Sequence, residues 1–246
     1  MAPQPEGEVV DAAEKKQAAA AEALRVSLTE FAARAGHDMV GPLNQAASLM
    51  ALLIRRQRAQ MGADADNLLE YLQSSSIRME GVVSGVRAYM DAAHAPRFTD
   101  VDLNQSLAAA LELLRQPIEE SGANIESGSL PRICADPVQM VTLFEILIGN
   151  AVKFRHVDRP AYIRVSGSCA DDVAHVAIED NGIGIPPEFS EAVFQPFRRL
   201  NGTAYRGPGL GLTIARLITR MHGGTVRIEP VTMPPGTTVN LLLSVL

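Results

Sequence analysis

The run Asp180-Asn181-Gly182-Ile183-Gly184-Ile185 follows a stretch in which Ala174, Val176 and Ile178 are apolar while His175 and Glu179 fall between them. A strand alternates its faces with period two, so Asp180 continues the inward, apolar face. A carboxylate placed there is costly unless a donor meets it, and an adenine amino group would serve. The two glycines let the backbone come close to a flat ligand. The same Asp-Asn-Gly triplet also suits a hairpin turn.

Upstream, Asn150 and Lys153 share a helix face beside the stripe Met140, Phe144, Leu147, Ala151 and Phe154. An amide oxygen suits a hard cation such as Mg²⁺, and an ammonium suits phosphate oxygens, although such a pair also decorates ordinary helix surfaces. Downstream, Gly207-Pro208-Gly209-Leu210-Gly211-Leu212 leads from a polar loop into a helix. Amides at a helix N-terminus with no Cβ in the way can seat a polyphosphate. The pattern lacks the Gly-Lys-Ser/Thr ending of a P-loop and the spacing of a dinucleotide fingerprint, and a flexible turn is its plain alternative. Between these segments, Phe194 and Phe197 read as core aromatics with Arg198 and Arg199 solvated beside them.

The elements that must position these residues follow from periodicity. Residues 11 to about 60 are Ala-rich with Leu24, Leu28 and Phe31 at helical spacing, and Pro42 should kink that helix just after His37 and Asp38. After Met61-Gly62 a second helical pattern runs from about Ala65 to Ala93, so the two form a hairpin. A lone hairpin cannot enclose its apolar stripe, and pairing with a second copy as a four-helix bundle solves this, so a homodimer is expected. Beyond Pro96 the pattern predicts a helix from Asn104 to about Ser121 and a short strand over Ile133–Ala135. Asp136-Pro137 reads as a helix start, followed by the stripe that carries Asn150. Strands are predicted over Tyr162–Gly167, Val173–Asp180, Thr225–Glu229 and Thr237–Leu243, and a helix over Gly209–His222. Helices and strands without strict alternation imply an α/β sandwich with a mixed sheet.

Composition narrows the functional classes. The 246 residues carry a net charge of −6, which argues against a dedicated nucleic-acid or anionic-membrane binder. The longest apolar runs are short and carry Asn44, Gln45 or Glu145, so no direct membrane span is expected. The N-terminus lacks a signal-peptide pattern, and two cysteines, Cys134 and Cys169, are too few for a disulfide scaffold. A cytoplasmic location is the expectation.

Taken in order, N-A-x-K-F (150–154), D-N-G-I-G-I (180–185), F-x-x-F-x-R-L (194–200) and G-x-G-L-G-L (207–212) resemble the N, G1, F and G2 boxes of the GHKL ATP-binding fold as used by two-component sensor histidine kinases. FAARAGHDMVGPL (31–43) resembles that family's H box, and LIGNAVKFR with His222-Gly223-Gly224 looks most like the phytochrome-type branch. The resemblance implies that Asp180 recognises adenine, that Asn150 binds Mg²⁺, and that Lys153 lies near the ATP phosphates. Gly182, Gly184, Gly207, Gly209 and Gly211 would shape the pocket and its lid. His37 would be the phosphoacceptor, with Asp38 holding its other ring N–H or acting as base.

The implied architecture is a tail or helix extension over 1–18, a dimerisation and phosphotransfer hairpin over 19–95, and a catalytic ATP-binding domain over 96–246. The implied activity is ATP-dependent phosphorylation of His37 and transfer to an aspartate on a separate response regulator receiver domain. Input would come from a separate sensory protein or an N-terminal sensor missing from this chain. Two departures matter. Ile146 stands where many relatives carry an additional Asn, and Glu145 points away, so a water-activating glutamate is missing. Gly41 replaces the Thr or Asn associated with phosphatase activity, so weak phosphatase activity is expected. The alternatives are a degenerate pseudokinase or scaffold that binds nucleotide and docks regulators without turnover, and a GHKL serine kinase, for which the hairpin would have no purpose.

Overall fold

The computed structural model describes residues 64–200, 205, 207–232 and 235–245, together with residues 21, 26, 45, 46, 49 and 52, which are helical. His37, Asp38, Gly41 and Pro42 lie outside the described residues. So does most of the first helix expected of the hairpin.

Helix α1 spans Asp64–Ala92, close to the expected second arm. It presents two opposed faces near its C-terminus. Gly85, Tyr89 and Ala92, spaced four and three apart, are buried, whereas Val83 and Met90 are 60% and 56% exposed. The buried face packs on the α/β body. The exposed pair lies roughly 150° around the helix from it.

The body begins with β1 (Thr99–Asp102), α2 (Leu103–Leu113), α3 (Arg115–Ser121), β2 (Asn124–Ser127) and β3 (Arg132–Ala135). It continues with α4 (Pro137–Lys153), β4 (Tyr162–Ala170), β5 (Val173–Asp180), α5 (Gly211–Met221), β6 (Thr225–Thr232) and β7 (Pro235–Ser244). The main sheet has the order β2-β4-β5-β7-β6, with β2 parallel to β4 and the other neighbours antiparallel. β1 and β3 form a separate antiparallel pair. Ile163, Val165, Val176, Ile178, Leu241 and Leu243 bury one face of the sheet, and Leu107, Leu143, Phe144, Leu147, Leu217 and Ile218 meet them from the helices. The result is the expected mixed-sheet sandwich.

Three local features set its frame. The helix expected from Asn104 to Ser121 is two, because Pro117 has no N–H to extend the ladder and Leu114 leaves helical geometry. Asp136 caps α4 by accepting from the Val138 and Gln139 amides at 2.9 and 3.0 Å. β4 and β5 join through Asp171 and Asp172, both with positive φ, as a two-residue turn between right-twisted strands requires.

Candidate nucleotide site

The end of α4 and the end of β5 meet at the open edge of the sandwich. Gly182 makes that approach feasible: a Cβ there would lie 2.5 Å from the Phe154 carbonyl oxygen, and the next residue, Ile183, donates its N–H to that carbonyl at 3.0 Å. The Asp-Asn-Gly segment is therefore no hairpin turn, because its chain is pinned to the helix terminus. Asn181 helps, its Oδ1 accepting from the Tyr162 amide and its Nδ2 donating to the Pro160 carbonyl, both at 2.9 Å.

Between these ends and the glycine-rich segment 207–211 lies a cavity of about 300 Å³. Asp180 is the one acidic residue among its described lining, and Lys153, Arg198 and Arg199 are the cations. Asp180 Oδ1 accepts from the Gly182 amide at 2.8 Å. Burial pushes its carboxyl up to about 6, against the opposing pull of the Gly182 and Thr237 amides and of the Arg159 charge. Apolar surface from Ile178, Ile183, Ile185 and Val239 surrounds this acid, which suits a flat base with one polar edge.

The wall beside the glycine-rich segment is cationic. Burial, and then the neighbouring Arg199 charge, hold the Lys153 ammonium below its ordinary value. Lys153 Nζ lies 4.8 Å from the centre of the Phe154 ring and makes no ion pair among the described residues. It stands 3.0 Å from where a Gly207 Cβ would be, so only glycine leaves that ammonium uncovered. Gly207 has φ 129° and Gly209 φ 78°, and the latter approaches the Arg198 carbonyl so closely that a Cβ would be 2.9 Å from it. Asn150 faces Gly211: a Cβ added there would lie 3.8 Å from the amide nitrogen Nδ2 and 4.0 Å from the oxygen Oδ1. The Asn150 oxygen is thus a hard donor beside the start of α5, the chemistry a divalent cation between phosphates asks for.

Of the residues singled out from sequence, Asn150, Lys153, Asp180, Gly184, Gly207, Gly209 and Gly211 line one cavity. Gly182 stands behind the wall, where it admits the Phe154 carbonyl. Arg198 and Arg199, expected in solvent, line the cavity; Arg199 donates to the Tyr205 carbonyl, and Tyr205 packs against Phe154 with ring centres 4.8 Å apart. Phe194 is core, as expected. Sequence reasoning missed Thr237 and Arg159, which act on Asp180 from β7 and from the α4–β4 loop and belong to no motif. Ile146 packs toward Gly211 while Glu145 is exposed, so no carboxylate of α4 turns toward the cavity.

Residues 135–245 match the family model described as histidine kinase-, DNA gyrase B- and HSP90-like ATPase. This segment is a GHKL ATPase domain of the histidine kinase type. The chain is 36% identical over 205 residues to the phytochrome-like protein Cph1 of Synechocystis, an alignment covering 82% of this chain and 27% of that protein. The chain thus spans about a quarter of the length of such curated relatives. Among solved structures, the mycobacterial sensor histidine kinase MprB matches with a TM-score of 0.54 and 27% identity, over 60% of this chain and 97% of that one. The histidine kinase ThkA, solved in complex with response regulator protein TrrA, shares the fold with a TM-score of 0.64 and 19% identity, over 95% of this chain and 66% of that one. Among the described residues, no helix is long and apolar enough to cross a membrane.

Proposed function

We propose that this chain is an ATP-dependent protein histidine kinase core that phosphorylates His37 and passes the phosphoryl group to an aspartate of a separate response regulator. The observation that carries the proposal is the make-up of the cavity among the described residues: one half-buried carboxylate at the end of β5, three cations lining it with the glycine-rich segment against them, and glycines where the backbone must lie against a ligand. Asp180 accepts the adenine amino group. Lys153 and the amides near Gly207, Gly209 and Gly211 hold the phosphates, and Asn150 would hold Mg²⁺, which supplies charge neutralisation at the phosphate oxygens when bound. Phosphoryl transfer asks the protein chiefly for such positioning.

In the reaction, a His37 ring nitrogen attacks the γ-phosphorus, the bond from that phosphorus to the β–γ bridging oxygen breaks, and ADP leaves. Asp38 accepts a hydrogen bond from the other ring N–H, keeping the lone pair on the attacking atom. The lack of an acid on α4 facing the cavity supports transfer to a side chain over transfer to water. A homodimer built on residues 19–95 is supported by Val83 and Met90, exposed one heptad apart on α1. The signal would reach the kinase through a separate sensory protein or a sensor segment N-terminal to this chain.

Incubating the protein with Mg²⁺ and γ-labelled ATP tests the reading. An acid-labile, alkali-stable label that vanishes in His37→Ala is expected; no label, or label that persists in His37→Ala, rejects it. Ile146 at the α4 wall favours one second reading, a nucleotide-binding scaffold without turnover. Calorimetric ADP binding with no phosphohistidine would select that reading.

A further inference from the structure

Arg159 lies in the loop between α4 and β4, and its guanidinium faces carbonyls where carboxylates are the common partner. Nε donates to the Asn181 carbonyl at 2.8 Å. Nη2 donates to the same oxygen, to the Gly182 carbonyl at 3.0 Å and to the Pro235 carbonyl at 2.5 Å. Among the described residues it has no ion-pair partner. A planar fork with several fixed donors can hold such a set of oxygens in one plane, which a lysine ammonium cannot.

The three oxygens bracket Asp180. Asn181 and Gly182 follow it in the chain, and Pro235 opens the strand paired with it, in the register Asp180↔Thr237. That strand sits hard against the acid: a Cβ on Gly236 would fall 2.1 Å from the Asp180 carbonyl oxygen. Behind Asp180, two backbone segments therefore lie in close contact at Gly236. Their facing carbonyls repel unless a donor joins them.

We propose that Arg159 is a positioning residue for nucleotide recognition, its guanidinium tying the Asn181 and Gly182 carbonyls to that of Pro235 and so fixing the seat of Asp180. This rests on the reading of Asp180 as the nucleobase-binding acid. Its charge has a second consequence. Among the described residues, the charged groups around Asp180 are Arg159 behind it and Lys153, Arg198 and Arg199 around the cavity. Burial pushes the Asp180 carboxyl up to about 6 with Arg159 in place, and removal of that cation lets it rise further.

The test is calorimetric titration of the full chain with ADP across the range from mildly acidic to mildly alkaline pH, for wild type, Arg159→Gln and Arg159→Lys. Arg159→Gln should weaken ADP binding about tenfold at neutral pH. It should also shift the midpoint of the pH dependence upward by about half a unit, while the labelling rate at saturating ATP stays within about twofold of wild type. Arg159→Lys keeps the charge and loses the fork, so it should weaken binding while leaving the midpoint in place. Wild-type affinity and midpoint in Arg159→Gln overturn the proposal, as does a loss of saturated rate with an unmoved midpoint. Should Arg159→Gln fail to fold, wild-type affinity in Arg159→Lys overturns the role of the fork. A wild-type chain that binds no ADP at any pH rejects the nucleotide-site reading itself.

Discussion

Burying Asp180 works against the stability of the empty domain. Its carboxyl is pushed up to about 6, so the folded state holds the proton more tightly than the unfolded chain does. The sign follows from linkage: stability is greatest below the ordinary carboxylate range, falls as pH rises through about 6, and is level above that. The loss is of the order of 3 kcal/mol. Asp180→Asn cannot ionise, so its melting temperature relative to wild type should rise progressively from pH ~4 to pH ~6, by several degrees, and stay level at higher pH. On the proposed role of Asp180 in adenine recognition, the same variant should lose ADP affinity by about a hundredfold, because an amide cannot offer a charged acceptor to the adenine amino group. Differential scanning calorimetry at matched ionic strength checks the first outcome and isothermal titration the second. A residue kept against the stability of the free fold is one held for its ligand. That cost was legible in the sequence, where an acid continues an apolar alternation. Its partners Thr237 and Arg159 were not, because each reaches Asp180 across a gap in the chain that no local spacing encodes.

The elements divide along similar lines. α4, β5 and α5 carry strong periodicity and end signals, and the sequence places them within two residues of where they lie. β1 and β2 escaped notice because each has four residues and mixed polarity, Thr-Asp-Val-Asp and Asn-Ile-Glu-Ser, so their strand character comes from β3 and β4 beside them. Arg198 and Arg199 were misplaced for a related reason: a polar pair beside two aromatics looks solvated until the glycine-rich segment folds over it. The α4 cap does more than start a helix. Asp136 also accepts from the Arg97 amide at 2.8 Å, and its own N–H donates to His222 Nε2 at 3.0 Å, joining the ends of α1, α4 and α5. Burial alone would raise its carboxyl, yet the Arg97, Gln139 and Val138 amides and the nearby His94 hold it below its ordinary value. The stability it contributes is therefore present above the ordinary carboxylate range and lost only as pH falls below it. Asp136→Ala should destabilise the domain by about 2–4 kcal/mol, beyond a simple cap loss, since three amides lose their acceptor. Urea unfolding at neutral pH measures this, and ADP affinity measured well below the melting temperature should stay within about twofold, because the cap lies at the far end of α4 from Asn150.

At the scale of the whole molecule, the contact between α1 and the glycine-rich segment decides whether that helix and the candidate nucleotide site act as one body. Pro208 lines the candidate nucleotide cavity, and its ring also faces Gly85 of α1. A Cβ at Gly85 would lie 2.6 Å from Pro208 Cγ and 2.7 Å from Leu210 Cδ1. Neither neighbour yields easily, since a pyrrolidine ring is stiff and Leu210 is fully buried at the start of α5. The substitution Gly85→Ala therefore sets two effects of opposite sign against each other. In a free helix it stabilises by about 0.5–1 kcal/mol, because alanine loses less backbone entropy than glycine. In a helix seated on Pro208 and Leu210 it overpacks the contact and destabilises by about 1–3 kcal/mol. The seated arrangement predicts a lower melting temperature for Gly85→Ala and faster hydrogen exchange over 81–92, with exchange in β4 and β5 unchanged. A higher melting temperature would show that α1 stands free of the glycine-rich segment, and any coupling of this helix to the cavity would then run through some other surface. Because Pro208 belongs to both contacts, any change in helix seating must alter nucleotide affinity by the same factor that nucleotide alters seating. ADP-dependent exchange over 81–92, measured in wild type and Gly85→Ala, reads that coupling directly: a response in wild type that is reduced in the variant is expected, and an equal response in both would place the coupling elsewhere.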